Sequence, residues 1–96
     1  MSIKMDDHIG RSILVSGKVQ GVFFRASTQK EAQMLGLSGW VKNLPTGEVL
    51  IEVFGPYQVV ETLMRWCKVG PPMAEVAHVK IHEIPFREEK LFLISY

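Results

Sequence analysis

Between Arg11 and Lys18 apolar and polar residues alternate. Ile13, Val15 and Val19 fall on one side and Ser12, Leu14 and Ser16 on the other, the two-residue period of a half-buried strand. From Phe24 to Leu35 the period lengthens. Phe24, Thr28, Glu31/Ala32 and Leu35 recur at three- and four-residue spacing, which predicts a helix with a narrow inner stripe, stopped by Gly36. Ser38–Lys42, centred on Trp40, predicts a short second strand, and Asn43-Leu44-Pro45-Thr46-Gly47 has turn chemistry throughout. Glu48–Phe54 is the cleanest alternation, Val49, Ile51 and Val53 against Leu50, Glu52 and Phe54, and closes a hairpin with the strand before it. Gly55-Pro56 opens a second helix, with Pro56 suited to the first turn. Its stripe of Val59, Val60, Leu63, Met64 and Cys67 is more regular than the first helix's, and Gly70-Pro71-Pro72 ends it. Ala74–Ile84 reads as a strand, with Ala77, Val79 and Ile81 against His78, Lys80 and His82. Pro85–Lys90 is a charged loop, and Leu91–Ile94 a last short strand.

The order β-α-β-β-α-β plus a terminal strand predicts an α+β sandwich of the ferredoxin-like kind, two helices packed on one face of an antiparallel sheet. Residues 1–10, with Asp6 and Asp7, are expected to be a loose leader, and residues 11–96 a single domain. There is no internal repeat or low-complexity segment.

Composition narrows the function classes. The chain has 96 residues, 47% of them hydrophobic, enough for one core without covalent staples. A net charge of +1 provides no general attraction to nucleic acid or membrane. The single cysteine, Cys67, rules out an internal disulfide and a cysteine-cluster zinc site. No apolar run approaches the ~18 residues of a spanning helix, and the first ten residues lack the apolar core of an export signal. A cytoplasmic monomer is therefore expected.

The candidate chemistry lies where the first strand meets the first helix, in Gly17-Lys18-Val19-Gln20-Gly21-Val22-Phe23-Phe24-Arg25. A strand–loop–helix start of this kind turns backbone N–H groups inward as an anion nest and adds the free N–H groups of the helix. Gly17 and Gly21 permit positive φ and close approach to a ligand. Arg25 in the first helical turn opposes the helix dipole, which favours acidic residues there. An anion held between amides and guanidinium offsets that cost, and the planar fork suits phosphate. The plainer alternative is a tight turn followed by an exposed arginine.

If the loop holds a phosphoryl group, several reactions drop out. A nucleotide loop needs Gly-Lys-Ser/Thr, and Gly17-Lys18 is followed by valine. Cys67 lies on the core side of the second helix, and the only aspartates are Asp6 and Asp7, so no covalent intermediate is supported and water is the remaining nucleophile. The motif carries no carboxylate or histidine, so the leaving group must depart as a stable anion. A carboxylate, with a conjugate acid of pKa about 4, qualifies and an alkoxide does not. The machinery suits a carboxylic–phosphoric anhydride, with stabilisation from amides and Arg25 and with no metal or cofactor. Asn43 is the candidate to orient water, since its amide accepts and donates at once. Supporting the turn before Pro45 is the other role open to it. His78 and His82 share a strand face roughly 13 Å apart, too far to share a metal. Trp40 and Trp66 are expected to be core anchors.

The run Val19-Gln20-Gly21-Val22-Phe23-Phe24-Arg25, followed by Thr28-Gln29 and by Leu35-Gly36-Leu37-Ser38-Gly39-Trp40-Val41-Lys42-Asn43, resembles the acylphosphatase family, as do the positions of Gly47 and Gly55-Pro56. The likeness extends from about Ile13 to Tyr96. It implies the same fold, hydrolysis of acyl phosphates to carboxylate and inorganic phosphate, a substrate-binding arginine at Arg25, and a catalytic asparagine at Asn43. Val19–Arg25 then forms the phosphate-binding loop. Leu44 departs from members with a hydroxyl residue at that place. Two other readings share the element order: an RNA-recognition domain, poorly supplied here with aromatics on its central strands, and a non-catalytic domain binding phosphate or carbamoyl phosphate.

Overall fold

The computed structural model describes residues 7–96. The elements are β1 (His8–Lys18), α1 (Phe24–Met34), β2 (Ser38–Asn43), β3 (Val49–Pro56), α2 (Tyr57–Cys67), β4 (Glu75–Ile84) and β5 (Phe92–Ile94). They form one five-stranded sheet of order β4-β1-β3-β2-β5. The β1–β3, β1–β4 and β2–β3 pairings are antiparallel, as the ferredoxin-like arrangement requires. β5 runs parallel to β2, so the sheet is mixed at that edge. The first strand starts at His8, which puts His8, Ile9 and Gly10 of the expected leader into the sheet opposite Pro56, Gly55 and Phe54. Residues 1–6 lie outside the described residues.

The alternation read from the sequence selects the buried face. Ile13, Val15, Val41, Val49, Ile51 and Val53 are sealed beneath Phe24, Ala32, Val60, Leu63 and Cys67 of the two helices, in one continuous core. Phe24 also packs its ring 5.6 Å from Trp66, tying the start of α1 to α2.

Three positions depart from the period-two expectation. β4 slips register at Ser16/Gly17, so Val76 rather than Ala77 packs against the core. The extra residue, Ala77, shifts the facing of the β4 residues before it by one place and leaves Val79 as expected. Trp40 pairs with Glu52 and lies half-buried on the face away from the helices, its ring 5.4 Å from Lys42 Nζ, so it is not a core anchor. Phe54, on that same outer face, is nevertheless buried. The Pro85–Lys90 segment sets Phe86 edge-on at 6.4 Å and stacks the Arg87 guanidinium at 4.9 Å against it.

Candidate active site

β1 and β2 flank the central strand β3, and both end at the same edge of the molecule. There the β1–α1 loop meets the β2–β3 hairpin. The loop is pinned by its own side chains: Val19, Val22 and Phe24 are buried in the core, while Gly21 and Phe23 between them are exposed. Gln20 fastens the loop to the hairpin. Its Nε2 donates to the carbonyls of Leu44 (2.8 Å) and Glu48 (2.9 Å) at the base of the turn. That base is closed by the Leu44 N–H donating to Glu48 O at 2.8 Å.

The two loop glycines do different things. Gly21 has φ 75° and nothing near it, leaving the backbone open to a ligand. Gly17 has φ 123°, but a side chain there would collide with the Glu75 carbonyl of β4, so its freedom serves the bulge and not the site. Phe23, the residue before α1, is left-handed at φ 65° and ψ 22°. For an L-residue other than glycine this costs about 1–2 kcal/mol. α1 begins with no side-chain cap and no acidic residue in its first turn. Its first amides and the positive end of its dipole are thus left to whatever occupies the loop.

A cleft of about 330 Å³ opens at this junction, bordered by Val19, Gly21, Phe23, Phe24, Arg25 and Asn43, and by Ile94 and Tyr96 from the C-terminal end. Arg25 and Asn43, separate in sequence, thus face one cavity. The Arg25 guanidinium carbon sits 5.1 Å from the centre of the Tyr96 ring. Asn43 Oδ1 is buried and has no hydrogen-bond partner among the described residues. Gln20 and Val22 do not border the cleft with their side chains, which serve as clamp and core anchor. Among the described residues no carboxylate, histidine or cysteine side chain borders it. Cys67 is buried under α2, where burial pushes its thiol up to about 12 and keeps it protonated. Among the described residues no three His, Cys, Asp or Glu side chains are grouped to hold a metal ion.

Comparison with known proteins gives the family. The family model described as acylphosphatase matches residues 11–94. The chain belongs to the acylphosphatase family. It is 52% identical over 73 residues to an acylphosphatase of Rubrobacter xylanophilus, a match covering 76% of this chain and 66% of that one. It is 49% identical over 85 residues to an acylphosphatase of Aeropyrum pernix, covering 88% and 84%. The solved structure of an acylphosphatase from Coxiella burnetii superposes with a TM-score of 0.92 at 40% identity, over 99% of this chain and 100% of that one. Acylphosphatase membership makes the chain an enzyme of the hydrolase class. Among the described residues no helix is long and apolar enough to cross a membrane.

Sequence reasoning did not anticipate Ile94 and Tyr96 in the site. They reach it because β5 lies along β2, Gly39 to Val41 facing Phe92 to Ile94, with the Ser95 N–H donating to Val41 O at 2.8 Å. Gln29 Nε2 of α1 holds the same strand through the Phe92 carbonyl at 3.1 Å. A three-residue strand carries no local signal of which neighbour it will choose.

Proposed function

We propose that the cleft hydrolyses the carboxyl–phosphate bond of acyl phosphates by direct attack of water, with Arg25 and Asn43 as catalytic residues. The observation that carries this reading is the orphaned Asn43 Oδ1. A buried acceptor left without a donor costs about 1–3 kcal/mol, and the residue that carries it borders the cavity that Arg25 also borders. A water donating one hydrogen to Oδ1 removes that cost and has its lone pair fixed for attack.

The phosphoryl group sits against the backbone amides of Val19, Gln20, Gly21, Val22, Phe23, Phe24 and Arg25, with the Arg25 fork on two of its oxygens. Charge spread over those oxygens in a loose transition state is met by fixed dipoles and one cation. Water forms the new P–O bond, the bond to the carboxylate oxygen breaks, and the carboxylate leaves with the electron pair. It needs no proton from the protein. The proton lost by water goes to a phosphoryl oxygen. The reaction takes place without a metal or cofactor, and inorganic phosphate is the product that leaves the loop.

Replacing Asn43 by Ala separates the two roles. Expected is a fall in kcat of roughly 10²-fold from loss of water orientation, with the inhibition constant of inorganic phosphate changed much less. Equal losses in both would mean that Asn43 binds phosphate and does not orient water. Benzoyl phosphate should be turned over and a simple alkyl phosphate ester should not; EDTA should leave the rate unchanged.

A further inference from the structure

One phosphate does not account for the cleft. At about 30 Å³ for each water-sized group, a five-atom tetrahedral ion fills less than half of the 330 Å³. The rest of the wall is largely apolar, made by Val19, Ile94, Phe23 and Tyr96. Among the described residues Arg25 is the only charged side chain on it, so a second anionic group on a ligand would find no second cationic side chain among them.

Phe23 is the anomaly. The residue is 73% exposed, and its backbone is held in the left-handed region, unfavourable for an aromatic residue. Packing does not explain either feature, because the ring is not in the core. Backbone outliers of this kind gather where a ligand is clamped. Tyr96, 95% exposed, borders the same cleft and stacks on Arg25. With phosphorus fixed at Arg25 and the loop amides, the acyl carbon lies one bridging oxygen away. The acyl group then lies within the same cleft, where Phe23 and Tyr96 are the exposed aromatic side chains of the wall.

We propose that Phe23 and Tyr96 form the acyl pocket of the cleft and select acyl phosphates with aromatic or bulky apolar acyl groups over small or charged ones. This rests on the hydrolase reading above. The aromatic rings offer offset or edge-on packing to a flat acyl group, and the apolar wall offers nothing to a carboxylated one.

The test is the ratio of kcat/KM for benzoyl phosphate to that for acetyl phosphate in the wild-type chain and in Phe23→Asn and Tyr96→Ala. Asparagine tolerates the left-handed conformation, so the first variant removes the ring without reshaping the loop. Comparing ratios cancels the different intrinsic reactivities of the two anhydrides. The ratio should fall about three- to tenfold in each variant. A ratio unchanged in either variant, with the wild type active on both compounds, would overturn the acyl pocket and leave the hydrolase reading intact. A wild type inactive on both would sink the hydrolase reading and this proposal with it.

Discussion

Between β1 and α1 the chain inserts five residues, Val19–Phe23; between β3 and α2 it inserts none, since Pro56 closes the strand and Tyr57 begins the helix. The second junction is quiet. Pro56 sits at φ −60°, its natural value, and α2 carries an Arg65–Glu61 pair at 2.9 Å with Arg65 in its last turn. The first junction has a strained phenylalanine and a cation at the wrong end of a dipole, although both helices start without a side-chain cap. One fold thus makes the same strand-to-helix step twice, once directly and once through a loop that borders the cleft. Their difference separates what stabilises this domain from what lets it work.

The sharpest way to break that contrast is Arg25→Lys. A point charge cannot replace the fork, and kcat/KM for benzoyl phosphate should fall about 10³-fold, while the melting temperature holds or rises slightly. A melting temperature several degrees lower would mean that α1's start is as structural as α2's. On the α2 side the expected effects are on stability alone. Burial displaces the Cys67 thiol from 9.0 to about 12, so the folded state keeps a proton that the unfolded chain loses. Stability from this group is complete below pH 9 and declines as pH rises toward 12, by no more than roughly 4 kcal/mol. Cys67→Ala should show a flatter loss of stability over that interval in denaturant titrations. Leu63→Ala, at a fully buried position of α2, should cost about 3 kcal/mol of unfolding free energy with the acyl-phosphate KM unchanged. Smallest is Gln20→Ala, which frees the loop from the hairpin and should lower kcat about tenfold through misalignment of Arg25 and Asn43. A fall in KM with no change in kcat would contradict that coupling.

What could be read in advance divides along physical lines. The strand–loop–helix start was legible because glycine spacing is local, whereas Asn43 was singled out over a plain turn role only by the family resemblance; the structure brings it and Arg25 to one cavity. The stripes of α1 and α2 were legible because periodicity reports burial directly. Tyr96 and Ile94 were not, because their place depends on β5 choosing β2 as a parallel partner. Trp40 was misplaced because alternation says which residues share a face and not which face is covered. The exchange of Ala77 for Val76 followed from a one-residue bulge at Gly17, a contact between strands that no single segment encodes. Gln20 reads as one more loop residue until its amide is seen on two carbonyls of the hairpin.

That amide has a practical corollary. It grips the turn at Leu44 and Glu48, behind an exposed tip of Pro45, Thr46 and Gly47. Extra residues spliced in at the tip would sacrifice the Gly47 N–H bond to Leu44 O and the Thr46 bonds to Glu48, since the pairing of Asn43 with Val49 and the Gln20 clamp lie on either side of the splice and not in it. A short peptide handle could be grafted there to tether the molecule to a surface, whereas an equal insertion between Val19 and Phe23 would pull the guanidinium away from its partner across the gap.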